Sequence, residues 1–195
     1  MDRRAHRRGP RCRAGTVGGP DRRAQGRRDR GVIDLPDRHL AGSVRTPVGQ
    51  VVVVAGPAGV SSIGFYDPPG CVPVDQRALQ SVTDAVLDWF DDPTSLEGLP
   101  IDAPVSDFAT AVRAALLEVP VGSTTTYGEL ARRLGRPTAS RAVGRTVGAN
   151  PVAIAIPCHR VVCSDGSPGG YAWGVERKLT LLHLEEHHRH RGGPS

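Results

Sequence analysis

Between Gly122 and Pro151 the sequence reads GSTTTYGELARRLGRPTASRAVGRTVGANP, and its punctuation leaves the chain few choices. Thr126-Tyr127-Gly128-Glu129 has the spacing of a capping box, in which a threonine hydroxyl and a glutamate three residues on satisfy each other's free backbone donors. The helix it opens, residues 127–134, must stop at Gly135, a residue suited to the left-handed cap position. Pro137 and Thr138 restart the chain, and a second helix over residues 139–147 ends at Gly148. Two short helices about a glycine-containing turn predict a helix-turn-helix. Its second helix carries small residues, Ala142 and Gly144, beside Arg141 and Arg145, so its backbone could come close to a polyanion. The same pattern also serves helical pairs that bind nothing.

The charge distribution bears on that choice. Residues 1–30 hold eleven Arg against three acids, residues 31–103 three Arg against ten acids, and residues 104–195 ten Arg and one Lys against seven acids. The net +5 is therefore a basic arm of +8, an acidic middle of −7 and a basic C-terminal part of +4. A basic domain is the electrostatic footprint of a polyanion binder, and it is equally compatible with a merely soluble surface. Residues 1–38 are Arg, Gly, Pro and Ala with almost no large apolar groups. They are expected to be a disordered basic arm, either a nucleic-acid-binding extension or sequence in front of the true start site. No apolar run approaches the roughly 18 residues of a membrane span, and no secretory signal is recognisable. Cys12, Cys71, Cys158 and Cys163 include no CxxC pair. The expectation is a reduced, cytoplasmic protein without a structural metal.

After the arm, residues 50–55 and 60–65 predict a hairpin around Gly56-Pro57-Ala58-Gly59. Leu79, Val82, Val86, Leu87 and Phe90 recur at helical spacing. Residues 93–105 are linker-like, which places a domain boundary near Ala103. A helix over 107–117 should turn Phe108, Val112, Ala115 and Leu116 inward. The expected class is α/β of the α+β kind. It has an N-terminal hairpin-plus-helix domain over 39–103, a mostly helical domain over 104–186, and a disordered tail over 187–195.

Residues 150–166, NPVAIAIPCHRVVCSDG, read as an apolar strand over 152–156 that delivers the chain into Pro157. A thiol, an imidazole and a guanidinium follow side by side. Cys158 is a candidate nucleophile if something takes its proton. His159 is adjacent, and Glu185 on the final helix could fix its tautomer. Neighbours on an extended strand face opposite ways, so Cys158 and His159 need a turn or a bridging water, and Pro157 favours a turn. A solitary buried cysteine is otherwise a small hydrophobe. Arg160 is expected to pair with a local carboxylate or carbonyl, and Cys163 to be an inert thiol.

The segment IPCHRVV, preceded by GANP and followed by GYAWGVERKLTLLHLE, resembles the active-site region of the O6-alkylguanine-DNA alkyltransferases, the methylated-DNA–protein-cysteine methyltransferases. VPVGSTTTYGELARRLG and SRAVG extend the resemblance over residues 104–186. It implies DNA repair by irreversible, single-turnover transfer of an alkyl group from O6-alkylguanine, or O4-methylthymine, to Cys158. No cofactor is implied. His159 matches the base, acting through a water, and Glu185 the carboxylate behind it. Asn150 matches the residue that holds the turn, and Tyr127 the one whose hydroxyl protonates the leaving guanine. Arg141 matches the finger that fills the duplex where a base has been flipped out, and it lies on the DNA-binding helix with Ala142 and Gly144. Val161, Tyr171 and Ala172 fall at the base-binding positions. The implied partner is double-stranded DNA with a flipped alkylated guanine, bound by a monomer that is associated with a bacterial nucleoid. Trp173 and Arg113 depart from residues common in the family. The alternative is a protein that binds alkylated DNA, or regulates transcription through the helix-turn-helix, without repairing it. Alkylated-DNA binders of that kind lack the acceptor cysteine.

Overall fold

The computed structural model describes residues 35–65, 72–103 and 105–191, the last without its side chain. Most of the arm expected over 1–38 and the last residues of the tail therefore lie outside the described residues.

The expected hairpin is present as β2 (Gly49–Gly56) and β3 (Gly59–Gly64), but a strand that sequence patterning did not reveal, β1 (Leu40–Thr46), completes an antiparallel sheet in the order β1-β2-β3. β2 is buried without interruption from Val51 to Gly56, because it lies between two partners and is covered on both faces. Both sheet edges are closed by short pieces of chain. Ala41 exchanges backbone bonds with Pro73 and Asp75, Val60 with Pro100 and Asp102, and Ile63 with Pro151 and Ala153. Unpaired edge donors and acceptors are thereby satisfied.

Helix α1 (Gln80–Asp88) packs on β1. Leu79, Val82, Val86 and Phe90 are buried as their spacing demands, whereas Leu87 is exposed, since it lies one residue round the helix from Val86. Helix α2 (Asp107–Leu117) has the expected bounds, with the Ser106 hydroxyl accepting from the Ala109 amide at 3.3 Å. Val112, Ala115 and Leu116 are buried, while Phe108 is only half-buried, with the Arg136 guanidinium 5.4 Å above its ring. Arg113 donates to the Ala103 carbonyl at 3.0 Å and so ties α2 to the segment before it.

The helix-turn-helix consists of α3 (Tyr127–Arg133) and α4 (Ser140–Gly148). Both halves of the capping box form: Glu129 N–H donates to Thr126 Oγ1 at 3.1 Å and Thr126 N–H to Glu129 Oε2 at 2.7 Å. At the other end Gly135 takes φ +68°, with Gly135 N–H on Arg132 and Arg136 N–H on Ala131, the paired bonds of a Schellman motif. Two-residue strands β4 (Thr125–Thr126) and β5 (Val161–Val162) pair in parallel. They fasten the start of α3 to the chain just after Cys158.

Helix α5 (Val175–Arg191) runs past Glu186, where a tail was expected to begin. No glycine or proline interrupts residues 187–191, and His188 donates a ring N–H to the Phe90 carbonyl at 3.1 Å. The apolar core is continuous from the sheet through α1 and α2 to Leu130, Val143, Ile156 and Leu181. Among the described residues, no helix is long and apolar enough to cross a membrane.

Candidate active site

The approach to Cys158 is not the strand expected over 152–156. Val152 makes one isolated bridge to Ile63, and the rest turns, with the Ile154 φ at +70°. Asn150 accounts for the difference. Its Oδ1 accepts from Val152 N–H at 3.1 Å, and its amide nitrogen lies 3.1 Å from the carbonyls of Val152 and Ile156. One side chain thus closes a loop that would otherwise run straight. A left-handed β-branched residue is costly and persists only where its surroundings impose it. Pro157 then leads into a single 3-10 turn, Cys158–Arg160, the kind of bend that Cys158 and His159 needed.

Cys158 is 3% exposed. Its Sγ lies 3.1 Å from Asn150 Nδ2. Burial pushes the thiol pKa up, and the Asn150 amide and the Lys178 ammonium act in the opposite direction. In the free protein the group is therefore a protonated thiol, and it needs a base.

His159 and Glu185 are both fully buried, with His159 Nε2 at 2.8 Å from Glu185 Oε1. Arg160 turns onto the same carboxylate, with Nε at 3.1 and 2.9 Å from its two oxygens and a terminal nitrogen at 2.8 Å. Its other terminal nitrogen donates to the Val119 carbonyl. Gly122 N–H adds a fourth donor group at 3.2 Å from Oε2. Gly122 has φ +68°, and a Cβ there would meet the Glu185 carbonyl at 2.8 Å, so only glycine brings this amide to the carboxylate. Burial alone would raise the Glu185 pKa; the His159 and Arg160 bonds and charges overcome it and hold the group down at about 2. Burial lowers the His159 pKa more than Glu185 raises it, leaving a neutral ring near pH 7. Nε2 then carries the proton that Glu185 accepts, and Nδ1 keeps its lone pair. Nδ1 is buried with no hydrogen-bond partner among the described residues. The indole of Trp89, at the end of α1, meets the imidazole edge-on at 5.9 Å and shields it from water.

Cys158 borders a cavity of about 270 Å³ with Tyr127, Gly144, Val147, Gly148, Tyr171, Ala172 and Trp173. Burial raises the Tyr127 and Tyr171 pKa values, and the nearby thiols add to it, so both phenols stay protonated donors. The Tyr171 hydroxyl is buried and close enough to Cys158 for each to perturb the other's ionisation. Of the residues singled out from sequence, Cys158, Tyr127, Gly144, Tyr171 and Ala172 share this cavity. Asn150 reaches it through the Cys158 sulfur, and His159 and Glu185 are not among its lining residues. Val161 is fully buried behind it, its carbonyl 2.5 Å from Lys178 Nζ. Arg141 is exposed on α4, and Ala142 faces a different groove, between α2 and α4.

Sequence reasoning missed two residues. Lys178 is 1% exposed and bonds the carbonyls of Val161 and Pro168, pinning both ends of the loop after Cys158. The spacing Lys178, Leu181, Glu185 puts it on the buried face of α5, a signal that was available. Trp89 had no such signal, because its contact with His159 joins distant parts of the chain.

A buried thiol followed in sequence by an imidazole paired with a buried carboxylate is an arrangement found among proteins that use cysteine as a nucleophile. Residues 107–187 match the family described as "6-O-methylguanine DNA methyltransferase, DNA binding domain". A methylated-DNA–protein-cysteine methyltransferase of Mycobacterium leprae is 35% identical over 152 residues, covering 74% of this chain and 91% of the relative. The crystal structure of Mycobacterium tuberculosis OGT in complex with DNA superposes with a TM-score of 0.68 at 33% identity, covering 76% of this chain and 93% of that one. The O6-methylguanine-DNA methyltransferase of Pyrococcus kodakaraensis gives 0.59 at 27% identity, over 75% and 98%. The chain belongs to the methylated-DNA–protein-cysteine methyltransferase family.

Proposed function

We propose that this chain repairs alkylated DNA by taking the O6-alkyl group of guanine onto its own Cys158. Family membership makes it a DNA-directed transferase; the residue roles are our reading. The observation that carries them is the buried Glu185–His159 pair, its second imidazole nitrogen left without a partner among the described residues, on the residue next in sequence to a buried, protonated thiol.

In this mechanism His159 Nδ1 takes the Cys158 proton through a water, and Glu185 balances the imidazolium. The sulfur then attacks the alkyl carbon from behind the C–O bond; an S–C bond forms as C–O breaks. Tyr127, a protonated phenol in the cavity wall, gives its proton to the departing guanine, which leaves neutral, and the proton held on His159 then restores the phenol. The target oxygen lies inside the base stack, so the nucleotide must be rotated out, costing a few kcal/mol. Arg141, exposed at the start of α4, fills the gap. Ala142 and Gly144 let α4 lie close to the backbone, and Tyr171, Ala172 and Val161 hold the base. Nothing in the site cleaves a thioether, so each molecule acts once. The working unit is a monomer in the cytoplasm, at the nucleoid when bound, with residues 104–186 as the reacting domain and 39–103 as its support.

The test is incubation with duplex DNA carrying labelled O6-methylguanine. Label should appear on Cys158 by peptide mass analysis, with one equivalent per protein. Cys158→Ser should still bind the duplex and take no label. Binding without transfer by the unaltered protein would replace this reading with that of a damage-binding protein.

A further inference from the structure

One side of the cavity, at Trp173, is contacted by Phe65 from the N-terminal part of the chain. Trp173 lines the cavity and meets Tyr171 edge-on at 5.3 Å. Phe65, just past the end of β3, is not among the lining residues; its ring meets the indole at 6.0 Å and 63° and so backs it from outside. Arg177, one turn along α5, joins these parts. Its Nη1 donates to the Trp173 carbonyl at 2.7 Å and its Nε to the Val48 carbonyl, in the β1–β2 turn, at 3.0 Å. Its guanidinium also lies 5.0 Å above the Phe65 ring.

We propose that Arg177 and Phe65 form a clamp that holds Trp173 inward and thereby limits the size of O6-substituent the cavity accepts. The proposal rests on the reading of this cavity as the alkylguanine site. Neither residue touches a reacting atom; both are positioning residues. The segment they hold, PGGYAWG, has glycine at 169, 170 and 174 and few rotational restraints of its own. Its wall stands where the clamp puts it. A planar fork with a cation–π contact does three jobs at once here, and a lysine ammonium can do only part of this. The N-terminal part of the chain would thus select substrates without contacting them.

The experiment compares two second-order rates of Cys158 alkylation, with O6-methylguanine in duplex DNA and with free O6-benzylguanine. Phe65→Ala and Arg177→Ala should raise the benzyl-to-methyl ratio about tenfold, with the methyl rate falling less than threefold. Arg177→Lys should lie between them and the unaltered protein. Thermal melting of each variant controls for misfolding, since general loss of structure lowers both rates together. A ratio that stays constant, or falls, in folded Phe65→Ala and Arg177→Ala overturns the clamp. Failure of the unaltered protein to take either alkyl group onto Cys158 would instead overturn the reading of the site itself.

Discussion

Val51 to Ala55 and Cys158 to Val162 are both buried runs, and they are buried on different terms. The first belongs to the middle strand of a sheet; its own side chains are all aliphatic and its backbone is satisfied by the neighbouring strands. The second carries a thiol, an imidazole and a guanidinium into the interior, where Glu185 and Lys178 join them. Apolar burial stabilises in rough proportion to area, and it tolerates exchange of one hydrocarbon for another. Charge burial costs several kcal/mol per ion before any pairing offsets it. The sheet is therefore where this fold gains stability, and the turn after Pro157 is where it gives some up for chemistry.

Removing Glu185 should expose that contrast most. Glu185→Ala leaves Arg160 and the Gly122 amide buried without their acceptor, and should cost about 3–5 kcal/mol of unfolding free energy as well as alkyl transfer. Urea denaturation with a parallel transfer assay checks both. A variant that loses activity at full stability would show that the carboxylate serves chemistry alone.

Acid should find the same region. Glu185 and His159 both have folded pKa values below their unfolded ones, so each adds stability above its unfolded pKa and loses it on acidification. The loss should begin as pH falls below about 6.5 and continue toward 2. Glu185, moved from 4.5 to about 2, accounts for about 3 kcal/mol of it. Urea midpoints measured across that range should fall, and the fall should be shallower in Glu185→Ala. Equal slopes in the two proteins would move the acid sensitivity elsewhere.

The smallest effect is expected in the sheet. Ile63→Val should cost about 0.5–1.5 kcal/mol with the transfer rate unchanged. A large loss of activity would mean that the Ile63 backbone bonds to Pro151 and Ala153 transmit side-chain packing directly to the active-site loop.

How legible each region was in the sequence follows from the range of the forces. The capping box at Thr126, the stop at Gly135 and the bounds of α2 are decided within a few residues, and all were readable. β1 was not. LAGSVRT has no clean alternation, and its place comes from pairing with β2, which no local pattern encodes. The run over 152–156 misled because its apolar residues suit a strand, while the side chain of Asn150, two to six residues away, folds it into turns. At the site, adjacency suggested Cys158 with His159, and helical phase contained Lys178 with Glu185. The contact of Trp89 with His159, and the way Arg177 reaches Val48, required the tertiary structure.

The placement of Glu185 on α5 has a consequence in time. A ribosome delivers Cys158 first, then the loop, and only later the helix that bears the carboxylate. Until α5 docks, the imidazole lacks its support, Arg160 has no acceptor, and Val161 and Pro168 lack the lysine that fixes the loop. In the proposed mechanism a nascent chain therefore carries the cysteine without the machinery that makes it reactive. If each molecule acts once, as proposed, arming the nucleophile last keeps an unfinished molecule from being spent.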